Sequence, residues 1–483
     1  MTLETLSPRR RTLLWAAVVS GLLLAMLDQT IVGTALPEIV GELGGPSWYV
    51  WAFTAYLVPA TVLLPVAARV SDRLGRQRVL LGGMALFLAG STVCALAGSM
   101  LAFTAGRAVQ GAGAAALEAL TFIVVSELAG AGRRGAGQAA ISAVMALSFV
   151  GGPLIGGYLT DNVGWRWAFL VNLPIGVTAM ALLAATLPRG FGRSESRETP
   201  VDVLGIATLT ISVGALLVAI NRHQQLGGWA HLSTGGAMLL AVIGGVLFVL
   251  TERRAVAPVI PLQLLTHKTT GRLLLAGAFA TTGLYACVLL VPRWYQVDQG
   301  TSATGSGVRI YPLLLGLLLA VNLGAVAVTR RGEARGPLLA AGAVVLTGAG
   351  LFALLETGSP AWLPLAAMAV LGLGMGPALS GLQIALGRTT SPRHLGAAMG
   401  TLLLGRQVIG AIALALADAA YRSQLQTSSP ASATGSAVAW VAGAGAIVAA
   451  LALLGLRDRF PDAITPPAPV EGQRPQSTPQ PVG

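Results

Sequence analysis

Ionisable side chains are scarce: Asp, Glu, Lys and Arg make up only 10% of the 483 residues, and lysine occurs once, at Lys268. Soluble domains carry about 25% charge, so an ordinary soluble globular chain is excluded. Cysteine occurs twice, at Cys94 and Cys287, both inside apolar runs, which leaves no disulfide framework and no cysteine-based metal cluster. The four histidines, His223, His231, His267 and His394, are scattered over loops without ligand spacing. No metal site, cofactor or catalytic residue is therefore expected, and a membrane enzyme or sensor is a remote alternative. A phosphate-binding loop of the Gly-x-x-x-x-Gly-Lys-Ser/Thr type is missing, which counts against an ATP-driven pump. No cleavable signal peptide is evident either, because the first apolar run has full membrane length and continues into ALPEIVGEL rather than a small-residue cleavage site.

What is present is apolar: 54% of residues are hydrophobic and the mean hydropathy is +0.73, values of an integral membrane protein. Fourteen runs of near-membrane length can be read at about 13–36, 48–68, 79–98, 101–126, 137–160, 166–187, 201–220, 232–251, 271–292, 305–328, 337–355, 362–386, 396–420 and 435–456. An even number puts both termini on one side. Arg166, Arg222, Arg293, Arg309 and Arg422 fall on the opposite side and Arg107 and Arg406 within spans, so the remaining 24 of the 31 basic residues share the side of the termini. The positive-inside rule makes that side cytoplasmic. It also accounts for the net charge of +12 without nucleic acid. The Ala- and Gly-rich, Lys-poor composition suggests a high-GC bacterial genome. Residues 458–483, rich in proline and polar side chains, are expected to be a disordered cytoplasmic tail.

Three charges sit where charge is costly. Asp28 lies well inside the first run, where a carboxylate in hydrocarbon costs from about 2.5 to about 17 kcal/mol depending on the scale, so it should face a water-filled cavity or a partner charge. Such an acid is a candidate proton carrier, with a static ion pair as the alternative. The fourth run holds Arg107 and Glu118. Eleven helical residues return to nearly the same face about 16 Å further along, so both side chains border one wall with small residues between them. Arg107 and Asp28 lie at similar depth, which suggests that the arginine tunes the acid. The same run contains Gly111-x-Gly113-x-x-Ala116, a match to the dinucleotide fingerprint, but it follows no strand and is better read as close helix packing.

The connection after the second run, ARVSDRLGRQRVLLGG, sets Asp72 before a turn glycine, Gly75, with Arg73, Arg76 and Arg78 around it, a pattern that can clamp helix ends. Here the chain begins to resemble the major facilitator superfamily, with Ala68 where that family usually has glycine and Gln77 where it usually has a basic residue. In the fifth run Gly152, Pro153, Gly156 and Gly157 form GPxxGG, followed by WRWAFLVNLPIG from Trp165 to Gly176. This ordered set resembles the signature of drug:proton antiporters, with Ser148 in place of an expected glycine. WYQVDQGTSATGSGVRIYP (Gln296, Gly300, Ser302, Gly307 and Pro312) and GRQVIGAIALALAD (Arg406, Asp418) are similar to segments of its fourteen-span branch.

The resemblance implies an all-α integral membrane fold: a cytoplasmic N-terminus (1–12), a six-helix bundle (13–187), a linker with two extra transmembrane helices (188–270), a second six-helix bundle (271–457) and the tail. It implies a proton-coupled exporter of drugs or antibiotics, multi-pass in the bacterial plasma membrane and monomeric, working by alternating access. Its partners would be a small lipophilic substrate, cations among the candidates, together with protons and the lipid bilayer. Proton coupling would fall to Asp28, Glu118 and Arg107. The substrate cavity would draw on Asp28, Thr30, Gln110, Glu118, Gln383 and Arg406, and gating on Asp72, Gly75, Arg76, Gly152, Pro153, Gly156 and Gly157. A dedicated exporter of one endogenous metabolite, antibiotic or lipid is the alternative within the same fold.

Overall fold

A computed structural model describes residues 7–456 apart from 46–47, 130–133, 189–190, 192–201, 227, 229, 257 and 392–393. The expected tail and most of the charged connection after the sixth run lie outside the described residues. Among those described, every regular element is helical. Thirteen helical segments are long and apolar enough to cross a membrane, and the bent pair Trp51–Val62 and Leu64–Leu74 brings the spans to fourteen. They coincide with the fourteen apolar runs and are numbered here as spans 1 to 14.

Prolines stand at the breaks of spans 2 and 10, though not at that of span 9. Span 2 bends by 43° where Pro65 opens its second helix, because proline offers no N–H to the preceding turn and its ring crowds the carbonyl there. Span 9 is broken at Ala280–Thr281 between Lys268–Phe279 and Thr282–Arg293, and its far end unwinds into a π-turn, Trp294–Asp298. Span 10 comprises Ala303–Arg309 and Tyr311–Arg331, with Pro312 in the first turn of the second part.

In the first half, span 1 packs on spans 4, 5 and 6, and span 4 on spans 2 and 3; in the second, span 12 packs on spans 10 and 11, and span 14 on spans 9, 11 and 13. The halves meet where span 1 touches 9, span 2 touches 13 and span 5 touches 10. Lipid gives apolar faces little reason to associate, so close approach has to come from small residues. Gly113 lies against the backbone of Phe87 and Gly83, Gly111 against the carbonyl of Tyr56, and a methyl on either would overlap those atoms. Ala116 touches Gly83, so all three residues of the fingerprint-like stretch are packing positions. Spans 7 and 8 pair with each other, and span 7 touches spans 2 and 13, laying the inserted pair along one seam between the halves. Span 8 turns a largely apolar, exposed surface outward, including Leu239, Leu240, Val242 and Val246.

Candidate functional site

Span 1 aims Asp28 into the first half, not toward the seam. The carboxylate is fully buried and paired with Arg107 of span 4. Gln110, one turn further along span 4, donates to Asp28 Oδ1 at 2.6 Å and accepts from Arg107 Nη1 at 2.6 Å. Asn172 of span 6 donates to the same Oδ1 at 3.3 Å, and both it and Gln110 reach Ser91 of span 3, at 3.2 and 2.8 Å. Arg107 also donates from Nε to the Ala52 carbonyl and lies 4.3 Å above the Tyr56 ring. Five spans, 1, 2, 3, 4 and 6, are thus cross-linked by one charge-assisted network that leaves neither ion unmatched.

Glu118 occupies a different setting. It is 2% exposed, and its partners are neutral amides: Gln29 Nε2 at 3.3 Å from span 1 and Gln407 from span 13, the second half. No cation lies within ion-pair distance of it among the described residues. The carbonyl of Gln407 accepts in turn from Thr61 of span 2. Glu118, Gln407 and Thr61 therefore form a polar bridge across the seam. On the terminal side of this bridge lies a cavity of about 250 Å³ between the inner parts of spans 2 and 13, mostly apolar, with Thr61, Gln407 and Arg69 as its polar lining.

On the far side the halves are clasped. Gly157 of span 5 meets the backbone of Ala303 and Thr304, and Gly307 meets the carbonyl of Pro153, so spans 5 and 10 touch main chain to main chain. Asp161 accepts from the Ala303 and Thr304 N–H groups at 2.9 and 2.8 Å, and Gln296 donates to the Thr34 carbonyl at 2.8 Å. Arg293 holds Asp418 at 3.0 Å while lying 4.9 Å above the Tyr49 ring; Asp418 also binds Arg422 at 2.6 Å. Gly152 and Gly156 face span 1, where Thr30 donates to the Leu27 and Ser148 carbonyls at 2.9 and 3.0 Å.

At the terminal end of span 2, Gly75 takes φ +89°, a conformation a side chain would strain. Arg76 then starts span 3, pairs with Glu127 at the end of span 4, and sits 5.4 Å above Phe191. Asp72 is exposed beside this turn.

A family model described as Major Facilitator Superfamily matches residues 18–414. The chain belongs to that superfamily. Multidrug transporter protein MdtP of Bacillus subtilis (strain 168) is 32% identical over 411 residues, covering 85% of this chain and 75% of that protein. A Multidrug resistance protein B homolog of Mycobacterium tuberculosis (strain ATCC 25618 / H37Rv) is 30% identical over 402 residues, covering 81% of this chain and 73% of that one. In fold the chain is similar to a bacterial homolog of the human lysosomal transporter Spinster, solved in an inward-facing and unoccupied conformation. The TM-score is 0.64 at 14% identity, with 93% and 97% of the two chains covered. It is thus a multi-pass Major Facilitator Superfamily transporter of two six-helix bundles with two inserted helices.

Within this superfamily member the residues singled out from sequence separate into places. Asp28, Arg107 and Gln110 come together inside the first half, Thr30 lies in the contact of spans 1 and 5, and Glu118 reaches both halves through Gln29 and Gln407. Arg406 is buried with its guanidinium on the carbonyls of Gly277, Ala378 and Leu379, at 3.2–3.3 Å, and Gln383 is exposed and apart from these networks. Gln29, Thr61, Asn172 and Gln407 were not singled out; Asn172 stands in the WRWAFLVNLPIG stretch and Gln407 follows Arg406, so their neighbourhood, though not their direction, was marked.

Proposed function

We propose that this transporter exports small lipophilic, often cationic compounds from the cytoplasm across the plasma membrane in exchange for protons, with Glu118 as the group on which the two compete. The observation that carries this reading is a buried carboxyl at the contact of the halves whose partners among the described residues are amides. An unmatched carboxylate in a low-dielectric interior costs several kcal/mol. It is therefore relieved either by a proton or by a cationic cargo, and one displaces the other. Asp28 is already matched by Arg107, so in this reading it holds the first half rigid while that half turns against the second. The excess of basic residues on the terminal side supports placing the termini in the cytoplasm, which would make the cavity cytoplasm-facing and the clasped side external. Protonation from outside would release cargo there, and loss of the proton inside would ready Glu118 for the next molecule.

The test is uptake of a fluorescent lipophilic cation into inside-out proteoliposomes. Transport driven by an imposed ΔpH in the parent chain, and lost in Glu118→Gln, is expected. Movement that is indifferent to ΔpH in the parent, or ΔpH-driven transport that survives Glu118→Gln, would overturn the antiport role. A dedicated exporter of one endogenous compound is favoured by the modest cavity, which falls just below the range of about 300–1,000 Å³ usual for ligand sites. Resistance profiling of a deletion strain against dyes and antibiotics separates the two.

A further inference from the structure

The inserted pair contributes a wall to the cavity. Residues 258–261, which follow span 8, line it through Pro258, Val259 and Pro261, opposite the first turns of span 13. Their attachment is to the insertion more than to either half: Glu252, 4% exposed at the end of span 8, accepts from the N–H groups of Val259 and Ile260 at 3.1 and 3.3 Å. Arg69 of span 2 donates to the Pro258 carbonyl at 3.3 Å. The charges facing Glu252 are Asp202, before span 7, and Arg69. Pro261 is anchored as the N-cap of the short helix Leu262–Thr266, its carbonyl accepting from Leu264 N–H at 2.8 Å, and Val259 and Ile260 rest half-buried on the core; a non-helical stretch held by a few hydrogen bonds opens at a smaller cost than moving a span.

The cavity's interior states what it would hold. Its body is apolar, formed by leucine, proline, alanine, valine and glycine; Arg69 lines the end nearer the termini with its guanidinium on the Pro258 carbonyl, and the deep end carries the Thr61 hydroxyl and the Gln407 amide, behind which lies Glu118, without a cation partner among the described residues. We propose that residues 258–261 are the movable wall of a cargo entry site between spans 2 and 13, and that this site takes a compact lipophilic amine with its ammonium directed at Gln407 and Glu118. The inserted pair then serves as the mount of an entry gate. This deepens the export reading, on which it rests for the molecule's onward path.

The experiment is ligand protection of a single reporter thiol in the full-length chain. Cys94 and Cys287 are both buried, so labelling by N-ethylmaleimide reports an introduced cysteine. Phenylbutylamine is expected to slow labelling of Val259→Cys in a saturable way and to leave Val256→Cys, 85% exposed in the same connection, unchanged. Butylbenzene, which lacks the ammonium, should protect roughly tenfold more weakly, the worth of one charge-assisted hydrogen bond. Glu252→Gln should speed labelling at Val259→Cys severalfold by loosening the wall. Absence of protection at position 259, or equal slowing at 256, would overturn the site; equal protection by butylbenzene would overturn the amine assignment. Should Val259→Cys fail to fold, Ala397→Cys on the opposite wall carries the same test. Protection needs no gradient, so protection without ΔpH-driven transport sinks the antiport reading alone, and the converse sinks this one alone.

Discussion

Replacing Asp28 with asparagine strips the charge from a carboxylate that Arg107, Gln110 and Asn172 all donate to, while leaving its volume almost unchanged. The amide has one acceptor oxygen where there were two, and its NH2 group must face at least one of the former donors. Arg107 is left as a fully buried cation with only the Ala52 carbonyl, the Gln110 amide and the Tyr56 ring. Breaking a buried pair from one side costs about 3–5 kcal/mol, a large part of the 5–15 kcal/mol by which a typical protein is stable. Glu118→Gln, by contrast, trades one acceptor of neutral amide donors for another and should cost about 1 kcal/mol. Thermal unfolding of the purified chains in one detergent, followed by monodispersity after heating, should therefore show Asp28→Asn losing several degrees and Glu118→Gln scarcely moving. The double variant Asp28→Leu/Arg107→Met, which removes both charges and keeps the volume, should recover most of the loss. If Asp28→Asn is as stable as the parent, or if the double variant falls as far as the single one, the network does not brace the first half.

Gly307→Ala puts a methyl into the Pro153 carbonyl, an overlap worth about 1–3 kcal/mol against the clasped far side; a cysteine at Thr304 should become about tenfold more reactive from that side. Arg293→Gln should shift the same equilibrium in the same direction by less, because Asp418 keeps Arg422; the same thiol reports it. Gly75→Ala forces a side chain into φ +89° and should lower stability by about 1–3 kcal/mol in the unfolding assay.

Hydropathy was enough to place all fourteen spans, because a bilayer imposes length and polarity on every crossing segment. The meeting of Asp28 and Arg107 was legible for a similar reason: two charges at one depth in neighbouring helices have few other partners. What spacing could not tell is helix rotation. Gln110, read as a cavity residue, points instead at Asp28, and Arg406 points at the carbonyls of spans 9 and 12, whereas Gln407, one position and about 100° further round, reaches across the seam. The clasp of Asp161 on Ala303 and Thr304 was hidden for another reason, since it joins a side chain to main-chain N–H groups that carry no sequence signature.

The junction of spans 5 and 10 has an evolutionary corollary. With Gly157 and Gly307 each resting on the other span's main chain, those two positions hold no side chain to trim, and any enlargement there prises the two spans apart. On the export reading proposed above, adaptation toward new compounds is to be sought at the opposite junction, where leucines, a threonine and a glutamine can be exchanged one at a time.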